Sequence, residues 1–418
     1  MEKFRVGARE PLFFMHIPKT AGTSMRLFLA DQYRPEQVCS ASGWEQLIDF
    51  PVDEIKLFKL VQGHFQANFR QLIAPEAKTV TLLRNPLNRT LSAIRHLKRD
   101  AAFHPAHAKA KDMSVGQILS DPTLRLMHSN AQTAYLSGNA DPFEALEYLR
   151  EGARQGKRLD VADLDGPYDL EVAKYHLEQF DFIGIVEELE EFLPGFCSAM
   201  GYHPMTFFRH DNHAPDGASD FTGLSEDEVQ MLQDCNDLDL QLYQWAVELV
   251  QGRRKDSAVS GLGLHAAITH LCDAGIYEVQ NGSFEIDLGG PIPGSGWYEP
   301  DAEPAIRWTG PHKEFSLELP LQADGRYRGL MKFHSRRPFT AENFTVTANG
   351  VPLEVEVAVE GNIYSVAFEI TPFHVEDYAG VCQLIFDVGA VFSPASEGGS
   401  DRRKLGVAVM SLRFERLD

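Results

Sequence analysis

Residues 13–24 read Phe-Phe-Met-His-Ile-Pro-Lys-Thr-Ala-Gly-Thr-Ser, and no other stretch constrains the fold as tightly. Phe13, Phe14, Met15 and Ile17 make a buried apolar strand, which Pro18 ends. Met25, Phe28 and Leu29 then recur at helical spacing, so Thr23 and Ser24 fall at a helix N-terminus. Free N–H groups and the helix dipole favour an anion there. Gly22 is expected to let the backbone approach a ligand with no Cβ in the way. Lys19 adds a mobile positive charge, and Thr20, Thr23 and Ser24 add hydroxyl donors. Strand, loop and helix together predict a site for a phosphate-like group.

The usual triphosphate loop is G-x-x-x-x-G-K-[ST], with its Lys after the second Gly and a hydroxyl on magnesium. Here Lys19 precedes Gly22, and no metal-binding carboxylate follows. A magnesium-dependent phosphoryl transferase is therefore the weaker reading. A second strand–helix step lies downstream. Val80, Leu82 and Leu83 form a short strand, Asn85 can cap a helix, and Pro86 fits its first turn. Leu87, Leu91, Ile94 and Leu97 make an apolar stripe that turns Arg84 and Ser92 towards a shared pocket. Between the two, Val61-Gln62-Gly63-His64-Phe65 ends a strand expected to start near Leu57.

Residues 16–24, His-Ile-Pro-Lys-Thr-Ala-Gly-Thr-Ser, resemble the 5′-phosphosulfate loop of sulfotransferases that use 3′-phosphoadenosine 5′-phosphosulfate. The resemblance points to carbohydrate sulfotransferases related to heparan 2-O-sulfotransferase. It implies that Lys19, Thr20, Ala21, Gly22, Thr23 and Ser24 cradle the 5′-phosphosulfate. It further implies that Arg84 and Ser92, at the family's spacing, hold the 3′-phosphate. A planar guanidinium fork matched to phosphate oxygens, with a neutral hydroxyl beside it, suits that task. The Gly63-His64 step resembles the family's catalytic position. An imidazole with an ordinary pKa near ~6.5 can take the acceptor's proton, while Lys19 stabilises charge on the leaving phosphate.

Beyond these motifs, Asn130 and Gln132 in Asn-Ala-Gln-Thr-Ala-Tyr-Leu-Ser-Gly match a family stretch and are expected on the acceptor wall. His104 and His107 are expected in a loop near the acceptor. Pro105 between them and the lack of a partnering Cys or carboxylate cluster speak against a metal site. Phe180 to Glu188 reads as another buried strand leading into an acidic helix start, and Leu224 to Val250 as helical.

The formal charge of −21 argues against nucleic acid as a partner. An anionic donor then requires locally concentrated cations, for which Lys19, Arg84, Arg89 and Arg95 are available. The same balance favours a neutral or lightly charged glycan, a lipid-linked saccharide or another carrier-bound hydroxyl as acceptor. The 5 cysteines are scattered, with no metal-ligand spacing, and no long uncharged apolar run offers a transmembrane anchor. These features lead to the expectation of a cytoplasmic enzyme.

Short apolar runs alternating with helical stretches to about residue 250 predict a central parallel sheet with crossover helices, P-loop-like as the resemblance implies. Gly/Ser-containing, charged residues 251–261 then read as a boundary. Six or more alternating strands follow, as in Phe315–Leu319 and Gly329–Phe333, and predict a β-sandwich or jelly roll. The expected division is a sulfotransferase domain over 1–260 and an accessory domain over 261–418. Trp297, Tyr298 and Trp308 in the second part resemble the pattern of glycan-associated β-modules. They admit two readings, as sugar platforms or as core. A silent glycan-binding protein on the same scaffold is the alternative to an enzyme.

Overall fold

The computed structural model describes residues 1–418 apart from 100–105, 165, 205–220, 222, 257–262, 302–304, 337 and 341–342. Strand β1 (Glu2–Lys3) opens the chain and belongs to its second half. The first half is built on β2 (Leu12–Met15), β3 (Leu60–Gly63), β4 (Lys78–Leu83) and β5 (Phe182–Ile185). These pair in parallel in the order β3-β2-β4-β5. A parallel sheet must be covered on both faces, and β2 shows how. Phe13 and Met15 enter one core with Phe65, Leu83 and Ile185, whereas Leu12 and Phe14 enter another with Met25, Leu29 and Phe196.

Helices α1 (Gly22–Ala30) and α2 (Pro86–Arg99) leave the C-terminal ends of the adjacent strands β2 and β4. From β2 the chain turns to one side of the sheet, and from β4 to the other. The crevice between their C-terminal ends is therefore the sheet's topological switch point, where open α/β sheets bind ligands. Among the further helices of the first half are α3 (Ala131–Ser137), α4 (Leu189–Met200), α5 (Glu226–Asp234) and α6 (Asp237–Asp256). The helical stretch expected over Leu224 to Val250 is thus two helices, interrupted at Cys235 and Asn236. Helix α6 extends into the expected boundary as far as Asp256, and residues 257–262 lie outside the described ones.

After α7 (Leu264–Asp273), the second half is antiparallel apart from the β1 pairing. Its strands are β6 (Phe284–Glu285), β7 (Trp297–Pro300), β8 (Arg307–Thr309), β9 (Glu314–Pro320), β10 (Tyr327–His334) and β11 (Thr345–Ala348). They continue as β12 (Val351–Pro352), β13 (Glu356–Glu360), β14 (Ile363–Ile370), β15 (Val381–Asp387) and β16 (Ala408–Arg416). One sheet runs β1-β6-β16-β10-β14-β13, with β7 and β8 attached at β16, and the other runs β12-β11-β15-β9. The alternation in the sequence is the alternation of burial. Tyr327, Gly329, Met331 and Phe333 of β10 point into the sandwich core, shared with Phe315 and Leu317 of β9.

Trp297 and Trp308 differ in burial. Trp297 is in the core and donates from Nε1 to Ser316 O at 2.9 Å. Trp308 is half-buried in a separate cluster with Tyr298, Phe392 and Leu405. Tyr298 is buried and cannot serve as an exposed platform. The first residues of the chain also depart from the simple division. β1 pairs in parallel with β6, and Phe4 packs in the sandwich core against Tyr277 and Phe284. Among the described residues, no helix is long and apolar enough to cross a membrane.

Candidate active site

The loop between β2 and α1 turns on two left-handed residues that are not glycine, Lys19 (φ 72°) and Ala21 (φ 58°). Such conformations are sparsely populated for residues with a Cβ and recur at ligand sites. Thr20 between them is fully buried and donates from Oγ1 to Ile17 O at 2.9 Å. Its hydroxyl therefore braces the loop. Helix α1 starts at Gly22 with Ala21 as N-cap, without a side-chain cap and without an acidic residue in its first turn. Thr23 there is exposed and Ser24 half-buried. Gly22 has a different purpose from the one expected. A Cβ at that position would lie 1.7 Å from His16 Nε2, so the space belongs to the His16 imidazole. Glycine at 22 admits that ring beneath the loop.

Lys19 and Arg84 face the loop, with Arg26 one turn into α1. Arg84 donates from Nη1 to Lys19 O at 3.1 Å. Burial lowers the pKa of all three, and Arg99 and Arg84 lower that of Lys19 further. The buried Nε of Arg26 has no hydrogen-bond partner. Among the described residues, none of these three cations is ion-paired. Arg89, expected in the same cluster, is 1% exposed and donates to His128 O and Thr90 Oγ1. It is a structural residue, with the Asp239 charge acting on it. A half-buried set of cations beside an uncapped helix N-terminus fits an anionic ligand with more than one charged group.

His64 follows the end of β3, and Gly63 before it is required by packing. A Cβ there would meet Ser42 O at 2.5 Å, while His64 N donates to that same carbonyl at 2.8 Å. The imidazole of His64 lies 4.4 Å from that of His16, centroid to centroid. His64 Nδ1 is 2.8 Å from His16 O. A carbonyl can only accept, so Nδ1 carries the proton and Nε2 keeps its lone pair. Burial lowers the pKa of His64, the bond to His16 O opposes this, and Arg26 adds to the lowering. His16 is pushed well below the ordinary imidazole value, mainly by burial and then by His64. Tyr135 stands edge-on to His64 at 6.4 Å.

The other expected residues divide sharply. Ser92 is half-buried on α2, two helical turns after Arg84. Asn85 caps α2 as expected, accepting from Leu87 N and Asn88 N at 3.2 Å each. Asn130 and Gln132, expected on the acceptor wall, have their side chains engaged inside the protein. Asn130 Oδ1 accepts from Leu238 N and Asp239 N at 3.1 Å each, and so caps α6. Gln132 is 1% exposed and hydrogen-bonded to the Arg84 backbone. His107 Nδ1 donates to Leu97 O at 2.7 Å, near the end of α2. His104 lies outside the described residues. The sequence reading missed His16 as a packing element and Arg26 as a site cation. Both lie in or beside the loop motif, and Arg26 falls one helical turn after Gly22.

A strand–loop–helix site of this kind fits an anionic ligand, and comparison with known proteins gives the class. Residues 2–246 match the sulfotransferase family, and the chain belongs to it. It is 23% identical over 290 residues to heparan-sulfate 6-O-sulfotransferase 1 of Homo sapiens. It is equally similar to heparan-sulfate 6-O-sulfotransferase 1-B of Danio rerio. Each match covers 60% of this chain and 68% of the relative. The crystal structure of a sulfotransferase from Alicyclobacillus acidocaldarius aligns with a TM-score of 0.29 and 15% identity, covering 58% of this chain and 97% of that one.

Proposed function

We propose that this protein transfers a sulfuryl group from 3′-phosphoadenosine 5′-phosphosulfate to a hydroxyl of a glycan or lipid-linked saccharide. The observation that carries the reading is the tautomer of His64 set by His16 O, which leaves Nε2 unprotonated, together with the half-buried Lys19, Arg26 and Arg84, none of them in an ion pair among the described residues. The donor supplies an activated sulfuryl group with a phosphate as its leaving group. Backbone N–H groups of residues 20–24 and the start of α1 hold the phosphosulfate end, with Thr23 and Ser24 adding hydroxyls. Arg84 and Ser92 hold the 3′-phosphate. His64 Nε2 accepts the proton of the acceptor hydroxyl as its oxygen attacks sulfur, and Lys19 stabilises the charge left on phosphate. The names of the heparan-sulfate relatives support a saccharide acceptor.

Thermal unfolding with adenosine 3′,5′-bisphosphate, the desulfated donor, tests the reading. At about a hundred times its dissociation constant the ligand is expected to add ~2.7 kcal/mol of stability. Arg84→Ala is expected to abolish the gain. A response confined to ATP with magnesium would make the protein a phosphoryl transferase. No response to either would leave a glycan-binding protein on this scaffold.

A further inference from the structure

Gln132 lies beside the candidate site and has no part in the chemistry above. Both ends of its amide meet the backbone of one residue. Oε1 accepts from Arg84 N at 2.9 Å, and Nε2 donates to Arg84 O at 2.9 Å. Arg84 is where such help is needed. The ladder from β4 to β2 ends at Thr81, and the ladder to β5 ends at Leu83. Helix α2 begins only at Pro86, so Arg84 lies between two hydrogen-bonding systems. A primary amide satisfies both of its backbone groups, as a neighbouring strand would.

The contact extends to the loop. Arg84 Nη1 donates to Lys19 O, and Lys19 has the left-handed backbone noted above. Gln132 thus fixes the backbone of an arginine whose guanidinium braces the lysine of the other phosphate-binding arm. Gln132 is itself anchored. Its N–H donates to Asp239 Oδ2 at 3.1 Å, and Thr133 donates from N and Oγ1 to Asp239 Oδ1 at 2.7 and 2.8 Å. Asp239 is fully buried in α6, whose N-terminus Asn130 caps.

We propose that Gln132 is a positioning residue for donor binding, setting Arg84 and, through Arg84, Lys19. The proposal rests on the donor reading above. It places the side chain's effect on the donor rather than on the acceptor.

The test is calorimetric titration of the full chain with adenosine 3′,5′-bisphosphate, combined with steady-state kinetics in both substrates. Gln132→Leu leaves the N–H and C=O of Arg84 unpaired and is expected to weaken the bisphosphate about tenfold or more. The KM for acceptor is expected to stay unchanged. Gln132→Glu can still accept from Arg84 N and, in its protonated form, donate to Arg84 O, so a smaller loss is expected that grows as pH rises. It also carries the test if the leucine variant fails to fold. Unchanged bisphosphate affinity in a folded variant overturns the proposal. So does a raised acceptor KM with donor affinity intact, which would return Gln132 to the acceptor wall. Wild-type protein that binds no bisphosphate would overturn the donor reading itself, and the proposal with it.

Discussion

Two polar clusters in this protein differ in what they leave unpaired. Where the halves meet, His203 follows α4 and faces Glu318 of β9. His203 Nε2 donates to Glu318 Oε2 at 2.7 Å, and Nδ1 is hydrogen-bonded to Tyr277 OH at 2.8 Å. Gln383 Nε2 donates to Glu318 Oε1 at 3.2 Å, so both carboxylate oxygens and both ring nitrogens have partners. In the cleft at the ends of β2 and β4, by contrast, Lys19, Arg26 and Arg84 are partly desolvated and, among the described residues, in no ion pair, although the Glu187 charge acts on Arg84. Uncompensated charge held out of water opposes folding. Satisfied polar groups fix one half against the other. Cations outside any ion pair can take the charge of a ligand.

If that distinction is sound, variants in the cleft should affect turnover or ligand binding, and variants at the junction should affect stability. The largest effect is expected for His64→Ala. Turnover should fall by about 10²–10⁴-fold, the usual contribution of a positioned base. The stabilisation by adenosine 3′,5′-bisphosphate should match that of wild type. Sulfate transfer close to the wild-type rate would remove His64 from the chemistry and leave the cleft as a binding site alone.

Glu318→Ala is the matching change at the junction. It strips His203 of a buried partner and leaves a void on β9, so a loss of about 3–5 kcal/mol in unfolding free energy is expected. Bisphosphate affinity of the folded fraction should not change. Denaturant titration with and without the bisphosphate separates the two quantities. A variant that loses affinity as well as stability would show that the junction shapes the cleft, and the two clusters would no longer be independent.

The contrast also explains what the sequence disclosed. The loop at 16–24, the Arg84–Ser92 spacing and His64 are local features, each a strand end with its following turn or helix. Asn130, Gln132 and His203 are not local. Their partners Asp237, Arg84 and Glu318 lie 107, 48 and 115 residues away in the chain. An amide beside a motif reads as a ligand-binding group until its partner is known, which is why Asn130 and Gln132 were expected to face the acceptor. Gly22 hides its packing reason in a related way. Its lack of a Cβ was legible, but the ring filling that space belongs to His16, six residues earlier and folded back under the loop. The pairing of β1 with β6 is not local either. Two residues of strand cannot name a partner more than 280 positions away.

The smallest expected effect is in the pH dependence, and it probes whether the cleft is short of negative charge. His64 is active as a base only when Nε2 is unprotonated, and its pKa in the free protein is lowered by burial and by Arg26. The acid limb of kcat/KM, which reports the free enzyme, should therefore lie below the ordinary imidazole value near ~6.5. Bound donor places negative charge among Lys19, Arg26 and Arg84 and opposes the lowering. The acid limb of kcat, which reports the bound enzyme, should lie at higher pH than that of kcat/KM. Stability follows the same sign. His16 and His64 both take protons less readily folded than unfolded. Below about pH 6.5 the unfolded chain therefore binds more protons, and these residues make the protein lose stability as pH falls. Rate profiles in both substrates, with unfolding followed from pH 7.5 to 5 (about the span in which imidazoles titrate), measure all three. Coincident limbs in kcat and kcat/KM would mean that the anion does not bind near enough to His64 to influence it, and the cations of the cleft would then need another ligand.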